Sequence, residues 1–289
     1  MTTPDGLGEM AYLDGRFAPL AETRVSVLDR GFIFGDAVYE VIPVYAGRLF
    51  RLGEHLDRLQ SSMAAIRIDP PLERTAWVSL LETLIARNGG GRQAVYVQVT
   101  RGAAPRDHAF PPQARPTVFA MTRHIVETPT PKPVRAITLE DIRWSRCDIK
   151  ATSLLPNVLL RQQAVDEGAI DAILLRGGFV TEGAATNVFV VRGDAIVTPP
   201  KGHLLLPGIT RDLVVELAGE NGLRVVEAPV AQAELRAADE VWLTSSMTEV
   251  VPVVELDGQP VGGGGPGPVW ERVWALFQGY KRRLDDPGG

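Results

Sequence analysis

The sequence predicts an α+β protein of two domains, and three observations carry that reading. The chain has 289 residues, more than one typical domain of roughly 100 to 200 residues. Runs rich in β-branched and aromatic residues are mixed with segments whose apolar residues recur at helical spacing. Finally ETPTPKPV, residues 127–134, carries prolines at every second position from Pro129 to Pro133, each of which removes a backbone donor and restricts its predecessor. The expected organisation is a small N-terminal α/β domain over 1–126, a linker over 127–134, and a larger strand-rich domain over 135–289.

Taken in order, Asp14-Gly15 between short apolar runs reads as a hairpin turn. EHLDRLQSSMAAIRI then places Leu56, Leu59, Met63 and Ile66 on one helical side. A second helix is expected from about Leu72 to Ala86, stopped by Asn88-Gly89-Gly90. AVYVQVTRG and PTVFAMTRH read as strands from their β-branched and aromatic content. Beyond the linker, DAILLRGGFVTEG and NVFVVRGDAIVTP read as hairpins turning at Gly177-Gly178 and Gly193-Asp194, with helices near residues 157–167 and 210–219. The glycine- and proline-rich stretch from Gly262 to Pro268 reads as an exposed loop. Trp270, Val273, Trp274, Phe277 and Leu284 then line one side of a final helix, as core or interface. There is no internal repeat.

Composition narrows the function. A hydrophobic content of 45% with mean hydropathy +0.03 supplies a sizeable core in a soluble chain. The formal charge of −5 gives no footprint for nucleic acid or an anionic membrane, which leaves small molecules as the expected partners. Cys147 is the only cysteine, so no intrachain disulfide can form, no thiolate metal site is expected, and a reducing cytoplasm suits the chain. The N-terminus shows no basic and then apolar leader, and no run approaches the ~18 apolar residues of a membrane span.

Lysine is scarce. Of 30 basic residues only Lys132, Lys150, Lys201 and Lys281 are lysines. Lys132 stands between prolines, Lys201 lies in PPKGH, and Lys281 belongs to a KRR run expected to be solvated. Lys150 instead follows RWSRCDI and precedes ATSLLP, in a largely apolar neighbourhood. An amine that burial or neighbouring charge deprotonates near neutral pH can condense with an aldehyde, which arginine cannot do. On position alone Lys150 also reads as a strand-end lysine reaching for water.

Seven segments in order decide between those readings: RGFIFGDAVYEV (30–41), EHLDRL (54–59), TRGAAPRDHAFP (100–111), DIRWSRCDIKATSLLP (141–156), VTEGAATNVF (180–189), LPGITR (206–211) and LTSSMTEV (243–250). Together they resemble the fold-type IV pyridoxal phosphate (PLP) enzymes, and within them the D-amino-acid aminotransferases, from about Tyr12 to the final helix. The resemblance implies transfer of amino groups between D-amino acids, such as D-alanine or D-glutamate, and 2-oxo acids by a ping-pong route. Lys150 would hold the cofactor as a Schiff base and shuttle the substrate proton. Glu182 would pair with the pyridine nitrogen, where otherwise it reads as a turn glutamate facing water.

The turn LPGITR feeds a helix with Ile209, Leu213 and Leu217 on its apolar side, and a helix start suits a phosphate. By resemblance, Gly208, Ile209 and Thr210 would bind the phosphate, with Ser246 and Arg58, while Leu206 would pack on the cofactor ring. Thr210 also reads as a helix cap, and Arg58 as a surface cation. Arg106 and His108 match the pair that takes the substrate α-carboxylate, with Tyr39 completing the trap, although a lone Arg-x-His in a loop is ordinarily solvated. In the family this loop reaches over from a partner subunit, which implies a homodimer with shared active sites.

Ala184 and Ala185 replace serines common in the family, and Met247 a threonine, so hydrogen bonds that tune the cofactor are altered. The rivals are a branched-chain L-amino-acid aminotransferase, an aminodeoxychorismate lyase and an (R)-selective amine transaminase of the same fold, or a non-enzymatic PLP carrier. ATSLLPN after the lysine speaks against the first, Arg106 and His108 against the next two, and the full set of catalytic matches against the carrier.

Overall fold

The computed structural model describes residues 6–126 and 130–285. These fall into two compact units, one within Met1–Glu127 together with Ile149–Ser153, the other within Thr128–Asp148 and Leu154–Gly289. Of the expected linker, residues 127–129 lie outside the described residues, and 130–133 run without helix or strand.

In the first unit, β1 (Leu7–Leu13) and β2 (Arg16–Pro19) form the expected hairpin. Asp14 and Gly15 both take positive φ, 45° and 90°, as a two-residue turn matched to strand twist requires. There follow α1 (Arg30–Phe34), β3 (Ala37–Tyr45), β4 (Arg48–Leu49), α2 (Leu52–Ala65), α3 (Arg74–Arg87), β5 (Gln93–Thr100) and β6 (Thr117–His124). The strands make an antiparallel sheet in the order β2-β1-β6-β5-β3-β4. Leu56, Leu59 and Met63 of α2 and Trp77, Leu81 and Leu84 of α3 share one core with Val38, Ile42, Val95, Val97 and Val99 of the sheet. The helix expected from Leu72 begins at Arg74, with Glu73 at its cap.

Ile149–Ser153 joins this unit by strand-like pairing with β3. Tyr39 N donates to Lys150 O (2.9 Å), Thr152 N donates to Ala37 O (3.0 Å), and Val38 pairs with Ala151. Beneath, Glu40 of β3 is fully buried and meets α2, where Arg58 Nε and Nη2 reach its two oxygens at 2.7 and 2.8 Å and His55 Nδ1 lies 2.7 Å from Oε2.

The second unit contains β7 (Val134–Glu140), α4 (Leu155–Asp166), β8 (Asp171–Arg176), β9 (Phe179–Gly183), β10 (Asn187–Arg192), β11 (Ala195–Thr198), α5 (Ile209–Glu220), β12 (Arg224–Glu227), α6 (Gln232–Arg236), β13 (Glu240–Ser245), β14 (Glu249–Leu256), β15 (Gln259–Pro260) and α7 (Pro268–Asp285). Its sheet runs β12-β11-β10-β13-β14-β7-β8-β9, with β15 beside β14. The two expected hairpins turn where the sequence places them. β8 and β10 are buried at five successive positions each, the mark of strands covered on both faces. Trp270, Val273 and Phe277 of α7 are buried, while the loop at Gly262–Gly265 is exposed.

Lys281 corrects the expectation of a solvated KRR run. It is buried, and its Nζ donates to Glu249 Oε1 at 2.7 Å. Glu249, itself buried in a left-handed conformation (φ 60°), also accepts from Gln278. Lys281→Ala should therefore cost about 3 kcal/mol, because it takes an ammonium donor away from a buried carboxylate. An unchanged thermal midpoint would show that solvent screens the pair.

Acid sensitivity follows from Glu40. Burial opposes its ionisation, but Arg58, with His55, outweighs burial and holds its carboxyl at about 2 instead of 4.5. The unfolded chain thus binds this proton first as pH falls. The pair's contribution, about 3 kcal/mol, is complete above pH 4.5 and is lost on the way to pH 2. His55 acts in the same direction from higher pH: burial, with the positive charges of Arg58 and Lys150, outweighs the pull of Glu40 and holds its pKa below 6.5. Urea midpoints should fall from pH 7 to pH 3, and Glu40→Gln, less stable at neutral pH, should flatten the limb below pH 4.5. An acid limb as steep in the variant as in the parent contradicts this account.

Candidate active site

Lys150 is half-buried, held by its backbone rather than by its amine. Its carbonyl accepts from Tyr39, and its N–H donates to Ser62 Oγ (3.2 Å) on α2. Nζ lies 4.2 Å from the centroid of the Tyr39 ring, which in turn stacks on Tyr96. The first unit therefore brings Lys150 and Tyr39 together. Arg58 is buried rather than a surface cation, with its Nε and Nη2 on Glu40. Arg106 and His108 are exposed in the irregular connection 101–116 between β5 and β6.

In the second unit Glu182 is buried on β9, and so is not a solvated turn residue. Three donors converge on its carboxylate: Arg143 Nη1, Asn187 Nδ2 (3.2 Å) and the backbone N–H of Leu206 (2.9 Å). Asn187 Nδ2 also donates to Leu206 O (2.9 Å), which fixes the strand-to-helix turn against Glu182. Arg143 is a secure cation. Burial works against its charge, but Asp141 and Glu182 outweigh burial and raise its pKa above the ordinary arginine value. Asp141 ties Arg143 down through Nε and Nη2, both at 2.9 Å.

The turn feeds α5. Gly208 caps the helix with no side-chain hydrogen bond, and the first-turn residues Ile209, Thr210 and Arg211 are all buried. A side chain at 208 has no room, since a Cβ there would stand 2.0 Å from Asn187 Oδ1. An uncapped, buried helix start offers backbone donors and the positive end of the helix dipole to an anion. Ser246 lies in the turn between β13 and β14, which Ser245 Oγ stitches through Thr248 Oγ1 (2.8 Å) and the N–H groups of Met247 and Thr248. Ala184 is buried, whereas Ala185 and Met247 are exposed.

Sequence reasoning did not single out Glu40, His55, Arg143 or Asn187. The signal for Glu40 was a carboxylate in the middle of the apolar run VYEVIPVY, since a charge buried there demands a buried cation. Arg143 is 39 residues from Glu182, so no local spacing announces that pair.

Among the described residues, no group of three or more His, Cys, Asp or Glu could hold a metal ion, and no helix is long and apolar enough to cross a membrane.

Comparison with known proteins gives these arrangements a family. Residues 37–256 match the family described as Amino-transferase class IV. The D-alanine aminotransferase of Bacillus licheniformis is 45% identical over 267 residues, covering 92% of this chain and 94% of that one. The D-alanine aminotransferase of Staphylococcus aureus (strain MW2) is 38% identical over 276 residues, covering 94% and 98%. Among solved structures, the branched-chain aminotransferase of the thermophilic archaeon Thermoproteus uzoniensis, with norvaline, superposes with a TM-score of 0.87 at 26% identity, covering 95% of each chain. Another branched-chain amino acid aminotransferase of this fold is solved in complex with N-(5'-phosphopyridoxyl)-L-glutamate. The chain belongs to the class IV aminotransferases, the fold-type IV transaminases that work with pyridoxal phosphate.

Proposed function

We propose that this chain is a PLP-dependent transaminase that moves amino groups between D-amino acids, D-alanine among them, and 2-oxo acids. The observation that carries the substrate class is the 45% identity to a D-alanine aminotransferase over nearly the full length of both chains. The branched-chain reading is the second, favoured by solved structures of such enzymes at TM-scores of 0.87 to 0.89 and 26% identity. Both readings share the cofactor.

The residues present fit that cofactor. Lys150 supplies a half-buried primary amine, Glu182 a carboxylate fixed by three donors, and the start of α5 an uncapped set of buried backbone groups for a phosphate. Gly208, Ile209 and Thr210 would hold the phosphate with Ser246 and Arg58, and Leu206 would lie against the ring. When bound, the cofactor supplies an aldehyde that condenses with amines and a ring that draws electrons from the substrate Cα.

The chain's own residues do the rest. Lys150 Nζ would take the proton from substrate Cα and return it to the aldehyde carbon of the cofactor, C4′, and the Tyr39 ring beneath would steady the amine while it is charged. Glu182 would keep the ring nitrogen protonated, with Arg143 and Asn187 locking the carboxylate's direction. Arg106 and His108 would take the α-carboxylate common to both substrates, with Tyr39 as the third contact.

A homodimer with shared sites suits the surface. Val27, Leu28, Phe32 and Phe110 in the first unit, and Leu155, Val158 and Leu159 on α4 in the second, are exposed apolar side chains of the kind a partner subunit covers. The lone Cys147 suits a reducing cytoplasm.

The test adds D-alanine, D-glutamate, L-leucine and (R)-1-phenylethylamine separately to the yellow holoenzyme and follows loss of the cofactor absorbance. The D-amino acids should discharge it, and reaction with L-leucine alone sinks the substrate assignment. Borohydride should fix the cofactor onto Lys150, and Lys150→Ala should lose turnover; a variant that retains it overturns the role of the lysine.

A further inference from the structure

We propose that Arg30 is the positioning residue for substrate recognition, its guanidinium shaping the turn that presents Arg106 and His108. The inference rests on the reading of those two residues as the α-carboxylate clamp.

The connection 101–116 has no helix or strand of its own, so its backbone groups need partners from elsewhere. Arg30 provides them. Its side chain is 4% exposed, and Nη1 donates to Asp107 O (2.5 Å) and Ala109 O (3.3 Å), while Nη2 donates to His108 O (3.4 Å). Three consecutive carbonyls, 107 to 109, thus fan around one planar fork. A lysine ammonium, a single point charge, cannot reproduce that geometry.

The fork is itself held in place. Arg30 Nε donates to Asp36 Oδ2 (2.7 Å), and the same carboxylate takes Arg101 Nε (2.8 Å) and Nη2 (3.0 Å) at the start of the connection. Burial works against Asp36's charge, but Arg101 and Arg30 outweigh it and hold the carboxyl below its ordinary range. At the neck Arg30 N donates to Gly102 O (3.0 Å). Gly102, at φ 95°, admits no side chain, because a Cβ would stand 1.9 Å from Arg115 O across the neck.

Phe34 completes the support. The Arg30 and Arg106 guanidinium carbons lie 4.8 and 5.3 Å from its ring centroid, and the His108 ring lies 5.4 Å away. Backbone and side chains of the clamp therefore rest on one short helix, α1, rather than on the residues that would bind cofactor.

The experiment uses holoenzyme carrying Arg30→Lys, Phe34→Leu or Arg106→Met. Each is mixed with aminooxyacetate, which has a carboxylate, and with methoxyamine, which has none, and loss of the cofactor absorbance is timed; KM and kcat for D-alanine are measured in parallel. All three variants should slow aminooxyacetate and raise KM by about tenfold or more, and in Arg30→Lys and Phe34→Leu the methoxyamine rate and kcat should change by less than about threefold. Arg30→Lys keeps a cation beside Asp36, and Phe34→Leu leaves the carbonyl fork untouched, so a failure of either to fold leaves the other to decide. If Arg106→Met shows the effect and neither of the other two does, or if they slow both reagents alike, the positioning role is wrong. If Arg106→Met itself leaves aminooxyacetate unaffected, the carboxylate reading fails and the inference falls with it.

Discussion

Glu40 carries a carboxylate to a place with no water, and much of the first unit is arranged to answer that charge. The answer comes from α2, which presents His55, Arg58 and Ser62 on the side that faces β3. Arg58 and His55 close on the carboxylate, and Ser62, one turn further on, takes the backbone N–H of Lys150. The strand neighbour of Glu40 is Tyr39, whose backbone pairs with Lys150 and whose ring underlies the lysine amine. Because successive strand residues point to opposite faces, one residue of β3 fixes the helix and the next supports the amine.

The same economy explains why the chain uses arginine so freely and lysine so rarely. Arg30, Arg58, Arg101, Arg143 and Arg211 are all buried, and each meets carboxylate or carbonyl oxygens in a planar arrangement. Guanidinium keeps its charge at any physiological pH, so these cations are permanent structural members. Lys281 shows that an amine can serve as one too, locked against Glu249. Lys150 is placed differently, with its Nζ over an aromatic face, a weaker hold than a buried carboxylate gives.

The sequence made the fold legible wherever local chemistry decides it. The hairpins at Asp14-Gly15 and Gly177-Gly178 follow from residues that tolerate positive φ, and α2 from the spacing of Leu56, Leu59 and Met63. Neither α1 nor α6 was legible, since five residues are too few for an apolar period, and α1 is defined by the Asp29 cap and left-handed Gly35 instead. The candidate site stands out in the sequence as motifs but not as partnerships. Glu182 stands out in VTEGAATN, yet Arg143, which holds it, is recognisable only once β9 is folded. Lys281 misled for the same reason: in KRR it looks solvated, and its partner Glu249 lies 32 residues away.

How one architecture serves enzymes named for D-alanine and for branched-chain amino acids is a question of which parts can change alone. Lys150 is bonded along β3, and Glu182 sits in a strand with three donors on its carboxylate. Moving either would disturb sheet register, and with it the core. The 101–116 connection has no register to lose. Its shape depends on side chains reaching in from α1, so a few substitutions there can reshape it without touching the strands. Strand-held positions that resist change and a connection that tolerates it are therefore the arrangement under which relatives of one architecture can diverge while Lys150 and Glu182 stay where they are.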